Sequence, residues 1–501
     1  MEQYKEARKI SSTFVHPNYA LERGFKPMLD KLHESVRYGE DLGADFIEAR
    51  YDDLTLRELQ RINEVWQDIQ VKSRMGFAIT AYVDGVSGFS FTPSTTTKDI
   101  KLATENAYRM AKASARAAKL KLPFDGKPTV KSKKSDTLSV KIHPRDRDLA
   151  YKIDLVNRGV ESAQEHGESI KTARGLWGEL YGPKMLVNSD GSEIDWDFLV
   201  TDLRVLVTSK TDSGAMVFGA ESYGGTVGLE TFEGDEFTPE QLGETAGKNA
   251  KEQLKAKSCP AGKFRALVDE DLVGVLAHES FGHLSEADFI VTGASPLTDK
   301  MGETLGTEQA TIIDGGVPDI KKYGGLWLPF DDQGMTTNQT TVLDKGVLAH
   351  YLHNRGTAKK LEQEPTGNAR AVSFVFPPIP RMTNTYFMPG TLSKDEAIEQ
   401  LGTGIYAIQS SGGQVQGDGS FVFKAIRGYW VEKGEIKYPI REVALSGNIL
   451  NLLSRIEEGT KDLKLSAGYF GGCGKNEQSP LSTGMGGPQL LIDGVTFGGE
   501  A

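Results

Sequence analysis

Residues 276–288 read LAHESFGHLSEAD, and the two histidines inside them constrain the local fold more tightly than any other feature of the 501-residue chain. RALVD (265–269) reads as a buried strand that feeds a helix, and the following LVGVLA is apolar, so HESFGH lies on a half-buried helical element. A regular helix returns side chains four apart to one face. His278 and His283 are five apart, and on an ideal helix they point about 140° away from one another. For both to face one site, the helix must take up the extra residue as a π-bulge, a deformation common at functional sites. Gly282, just before the second histidine, weakens a helix by about 1 kcal/mol relative to alanine and marks where the deformation can occur.

The chemistry of those residues suggests why the deformation would be kept. Zinc is held by neutral imidazoles, and a catalytic zinc site has three protein ligands with one position left open. Two of the chain's eight histidines fall within six residues on a half-buried element, and Glu279 stands beside the first, where a general base takes a proton from metal-bound water. H-E-x-x-x-H alone is a weak pattern, and the third ligand has to come from elsewhere. Glu286 is three residues past His283, Asp288 is close, and Cys473 in GGCGK offers a thiolate between glycines that let the backbone enter a crowded site. Residue chemistry leaves these three open. Cys259 in KSCPAG reads as a small residue at a domain junction.

At this length two or three domains are expected. Amphipathic spacing predicts helices over Phe25–Val36, closed by Gly43, over 99–120 and over 149–165. ADFIEARYDD (44–53) and GFAITAYVDGVSGFSF (76–91), the latter broken at Asp84-Gly85, read as strands, and the strand-rich 184–232 reads as an antiparallel meander. A polar helix over 238–256 ends near Ser258-Cys259-Pro260, where the main boundary falls. The expected fold class is therefore α+β with two domains: a mixed N-terminal domain, 1–258, and a strand-rich C-terminal domain, 259–501, carrying the metal site. There 420–447 reads as a strand pair around Lys433-Gly434, and the tail as glycine-rich loop with a short final strand.

Composition excludes several classes. A net charge of -11, with charges of both signs interspersed, disfavours a nucleic-acid partner; the lysine-rich KPTVKSKKS (127–135) reads as a solvated loop. No stretch is apolar and long enough for a membrane span. MEQYKEARKISSTF lacks the apolar core of a secretory signal, and two cysteines make no disulfide framework, so a cytoplasmic location is expected.

HESFGHLSEAD is followed by SPLTDKMGETLG (295–306), FDDQGM (330–335), DKGVLAHYLHNRGTA (344–358), TGNAR (366–370), PRMTNTYFMPG (380–390) and the late GGCGK. In order and approximate spacing these blocks resemble the TldD/PmbA family of metallopeptidases, and the N-terminal segments resemble its first domain. The resemblance implies the catalytic TldD-type branch, which keeps HExxxH and the late cysteine. It implies that His278, His283 and Cys473 hold Zn2+, that Glu279 activates the water, and that Glu286 belongs to a supporting layer or the helix surface. It further implies a dimer, homomeric or with a TldE/PmbA-type subunit, that encloses the site in a cavity open to unfolded peptides. A non-catalytic role, suggested by the family's old description as modulators of DNA gyrase, fits poorly with the intact HExxxH and cysteine. The dipeptidyl-peptidase III type shares an HExxGH helix, but its other blocks are missing here.

Smaller features carry less. Arg370 and Arg381 suit either a peptide carboxylate or the pinning of loops, with loop-pinning the plainer reading. His350 and His353 read as packing or surface, Asp331-Asp332 as a turn, and GGTVG (224–228) as no phosphate loop, for want of a lysine.

Overall fold

Two long runs rich in β-branched and aromatic residues build the first sheet. Strands β1 (Phe46–Ile62) and β2 (Val65–Val83) pair antiparallel along their whole length, and β3 (Val86–Thr92) follows across the expected Asp84-Gly85 turn. The computed structural model describes residues 21–118, 121, 133–134 and 140–498. The N-terminal MEQYKEARKISSTF and all of KPTVKSKKS except Lys133 and Lys134 lie outside the described residues. Strand β4 (Lys133–Lys134) and the meander strands β5 (Ile170–Asn188), β6 (Glu193–Lys210) and β7 (Met216–Gly225) complete seven strands among the described residues. Their order is β3-β2-β1-β5-β6, with β4 and β7 both pairing β6.

Helices cover one face of this sheet. Helix α1 (Leu21–Asp41), followed by Gly43 at φ 94°, and α2 (Thr97–Ala115) share a core with Ile47, Tyr51, Phe77 and Ile79. Helices α3 (Leu149–Gln164) and α4 (Pro239–Gln253) share a second core with Trp177, Leu203 and Val205. The period-two alternation of the strands sends the intervening residues to the opposite face. There Leu54, Phe198 and Val200 pack on Leu326 and Leu328, and Trp196 packs near Phe330, all from the C-terminal half.

That half holds an eight-stranded sheet, which Lys257–Ser258 and Gly262–Val268 enter, and a six-stranded sheet that includes Ile312–Gly315, Asn384–Phe387 and Gly484–Gly487. Its main core joins residues of both sheets, Phe423 and Phe497 with Ile312 and Phe387, to Leu272, Leu276, Ala277 and Phe281 of the segment that carries HESFGH. The chain is thus α+β, as expected.

Three expectations need correction. Strand β5 begins at Ile170, well before the meander read from residue 184, because Gly175, Gly178 and Gly182 dilute its β signal. Residues 420–448 form three strands rather than a pair: Ser420–Glu432, Glu435–Arg441 and Val443–Asn448. The tail has the expected final strand, Leu490–Gly498, but three more precede it where loop was expected, Cys473–Lys475, Gln478–Leu481 and Gly484–Gly487. Glycines hide these strands from propensity, yet close packing requires them: a Cβ on Gly486 would lie 2.0 Å from the Lys464 carbonyl oxygen.

Candidate metal centre

The site grows out of a strand-to-helix junction. Asp269 caps helix α5 (Glu270–Val275) by accepting from the Leu272 N–H at 3.0 Å, and its second oxygen accepts from Gln409 N–H at 2.7 Å. The helix then widens into a π-helical stretch, Leu276–Gly282, in which the His283 N–H donates to the His278 carbonyl five residues back. The extra residue is absorbed as the histidine spacing required. Gly282 has a second reason to be there: a Cβ on it would meet the Met382 sulfur at 2.0 Å.

The widened turn brings the imidazoles together, with centroids 5.2 Å apart and planes at 83°. Cys473 arrives from the far end of the chain, its Sγ 3.3 Å from His283 Nε2. Donor atoms of His278, His283 and Cys473 all lie within 4.8 Å of one another, and these three form the one such group of His, Cys, Asp or Glu among the described residues. His278 is fully buried, and beyond the Cys473 thiol neither ring nitrogen has a hydrogen-bond partner among the described residues. An imidazole nitrogen left unpaired in a core costs on the order of 1–3 kcal/mol, so an ion bound there would resolve a real deficit. Burial alone would raise the Cys473 thiol, but the two imidazoles beside it outweigh burial and bring it down to about 5, which gives thiolate at neutral pH. Burial alone would lower His283, but the Glu286 carboxylate and the thiol outweigh it and hold the imidazole well above its ordinary range. Two imidazoles and a thiolate fit a zinc ion.

Glu286 is not on the helix surface. It is fully buried, its Oε2 3.0 Å from His283 Nδ1 and 3.0 Å from Lys475 Nζ. The bond to Nδ1 leaves Nε2 directed at Cys473. Lys475 also donates to Asp288 at 2.7 Å and to the Pro380 carbonyl at 3.0 Å, so Glu286 and Asp288 belong to a supporting layer around the triad. Lys475 was missed in the sequence; the available signal was a lysine two residues past a candidate ligand, on the same face of a strand. Removing it as Lys475→Met leaves the Glu286 carboxylate buried beside His283 alone. The expected loss is about 3 kcal/mol of stability, read as a lower denaturation midpoint at unchanged m-value.

The downstream blocks hold the thiol in place. Arg381 donates to the Cys473 carbonyl at 2.8 Å and to the Gln478 carbonyl at 3.3 Å, while Arg370 donates to the carbonyls of Met382 and Ser482 at 2.5 and 2.7 Å. Both arginines are buried and pin loops, the plainer of their two readings. Asp314 ties TGNAR to PRMTNTYF by accepting from Asn368, Thr383 and Thr385. Asp331 and Asp332 do make a turn, and Asp332 also meets Lys184 of the N-terminal sheet at 2.5 Å and accepts from Ala371 N–H. His353 is buried, bonded to Thr357 and Gln363, while His350 is exposed; neither belongs to the triad's donor group. Cys259 is buried, and its N–H donates to the Arg441 carbonyl. Glu279 remains partly exposed, with Oε2 3.9 Å from His283 Nε2.

Known proteins share this arrangement of sequence and fold. Residues 261–499 match the PmbA/TldA metallopeptidase C-terminal domain, 142–254 the central domain of that family and 63–111 its domain 1. Over 465 residues the chain is 32% identical to a metalloprotease of Methanocaldococcus jannaschii, covering 91% of this chain and 97% of that one. It is 28% identical over 464 residues to a zinc metalloprotease TldD homolog of Saccharolobus solfataricus, covering 93% of this chain and 99% of that one. Among solved structures, TldE of Thermococcus kodakarensis shares the fold with a TM-score of 0.72 at 16% identity, over 94% of this chain and 100% of that one. A Thermotoga maritima crystal structure shares it with a TM-score of 0.76 at 22% identity, over 94% and 99%.

Proposed function

The chain belongs to the PmbA/TldD family of metallopeptidases, and from that premise we propose that it hydrolyses unfolded peptides with a zinc ion held by His278, His283 and Cys473 and with Glu279 as general base. The observation that carries the reading is the convergence of two imidazoles, one of them the fully buried His278, with a lowered-pKa thiol. Zinc, when bound, supplies Lewis acidity that polarises a peptide carbonyl and acidifies water. Glu279 takes the proton of the attacking water and delivers it to the leaving amine. Its position next to His278 and its partial exposure suit a group that must meet both ligand shell and substrate. Glu286 and Lys475 keep Nε2 of His283 turned inward.

The reading includes a dimer, with a second copy or a TldE/PmbA-type subunit, whose enclosed cavity admits unstructured chains and excludes folded ones. It includes a cytoplasmic location, where free Cys473 stays reduced. No described helix is long and apolar enough to cross a membrane.

Zinc-loaded protein is expected to cut a long unstructured peptide, to spare a folded protein, to lose activity on dialysis against a chelator and to regain it with zinc. Cleavage that survives complete metal removal overturns the reading. So does the lack of any cleavage by protein carrying one zinc per chain, tested both alone and with a TldE/PmbA-type subunit.

A further inference from the structure

A cavity of about 390 Å³ lies where the helix-free face of the N-terminal sheet meets the C-terminal half. Its size and its place at a domain boundary are those of ligand sites. One wall is the ribbon that carries the thiol: Gly471 and Leu481 line the cavity, and Leu481 is the cross-strand partner of Cys473. Paired strands are about 4.8 Å apart, so the cavity begins one strand away from the metal-site cysteine.

The charges around it are unequally engaged. Lys184 is taken up by Asp332, and Arg370 by two backbone carbonyls. Asp52 is buried with Lys184, Arg50 and Arg74 as its neighbouring cations, and Glu58 bonds to Tyr469. Lys72 is left, and Arg74 is shared between Asp52 and the cavity. Lys72 is exposed and has no hydrogen bond or ion pair among the described residues, and Arg74 donates one bond, to the Val372 carbonyl at 2.9 Å. They are two apart on β2 and therefore share a face. Opposite them on β1 stand Leu56 and Leu54, in register with Lys72 and Arg74 respectively, so the floor beside the cations is apolar. A carboxylate set against that floor would be partly withdrawn from water, where a guanidinium and an ammonium bind it more strongly.

We propose that this cleft is a carboxylate-selecting subsite for the peptide, with Lys72 and Arg74 as the residues that read the charge. The proposal rests on the peptidase reading and adds a substrate class: peptides that place an acidic side chain, or the C-terminal carboxylate, a short distance from the scissile bond.

The test uses full-length, zinc-loaded Glu279→Gln protein and a fluorescein-labelled unstructured peptide. The peptide is made with one internal Glu or Gln and with a free or amidated C terminus. Fluorescence anisotropy is expected to show roughly tenfold tighter binding of the version carrying the recognised carboxylate. The internal pair and the terminal pair decide which carboxylate it is. The gap is expected to close in Lys72→Gln/Arg74→Gln, to persist in Lys72→Arg, and to reverse in Lys72→Glu, whose exposed position makes misfolding a minor concern. No gap in protein with native Lys72 and Arg74, or a gap unchanged in Lys72→Glu, overturns the proposal. Because binding is read without cleavage, the two readings fail separately. A binding gap with no cleavage by wild type removes the peptidase and leaves the subsite, and cleavage without a gap does the reverse.

Discussion

Glu279→Gln is expected to bind zinc as the wild type does and to lose peptide cleavage by at least about 100-fold to 10,000-fold, the usual worth of a positioned general base. The glutamine keeps the side chain's size and its place one residue after His278, but it cannot accept a proton. Glu279 is partly exposed, and its one ion-pair contact among the described residues is with His283 Nε2 at 3.9 Å. Metal content by elemental analysis and turnover of an unstructured peptide, measured on the same preparation, check the two halves of the expectation. Full activity would move the base elsewhere. Glu286 is a poor substitute, because it is buried and committed to His283 and Lys475, which hold its carboxyl below the usual range against the opposing effect of burial.

Cys473→Ala is expected to leave the chain folded and to weaken zinc binding by at least about 100-fold. The fold should survive because Arg381 grips the Cys473 carbonyl rather than the side chain, and the pairing with Leu481 is also made by backbone. The metal should leave because the two imidazoles lose the one ligand that carries a full negative charge. In the unsubstituted protein the thiolate is present above about pH 5 and takes up a proton below it. Zinc and protons compete for these ligands, so zinc affinity is expected to weaken as pH falls, first as the His283 imidazole holds its proton and more steeply below about 5, where the free thiol is protonated. Competition against a chromogenic chelator checks both statements. Undiminished affinity in the alanine variant would return the third ligand to Glu286 or Asp288, and both of those side chains already hold Lys475.

The residues differ in how far they could be read from sequence. His278, Glu279 and His283 were legible because their geometry is local: a five-residue spacing on a half-buried helix has few solutions, and the π-helical stretch Leu276–Gly282 is one. Helices α2 to α4 and the strands on either side of Asp84-Gly85 were legible for the same reason, since capping, turn chemistry and periodicity act over a few residues. The tail misled because its glycines carry no β propensity. They make strands by permitting close backbone approach, which is a property of the neighbouring strand as much as of the glycine.

Cys473 stood level with Glu286 and Asp288 on residue chemistry, and the family resemblance alone set it ahead. In the fold it meets His283 across a separation of 190 residues, while Glu286, its nearer rival, turns its carboxylate to Nδ1. Lys475, the loop-pinning by Arg370 and Arg381, and the cleft under Lys72 and Arg74 exist only where the two sheets' loops come together. By itself the sequence determined the α+β class, the helical element with its bulge, and which side chains can bind a metal or move a proton, because dihedral preferences and side-chain chemistry travel with each residue. Tertiary structure decided which of them meet, because contacts between distant segments depend on how whole faces of sheet and helix bury one another, and no short window of residues contains that information.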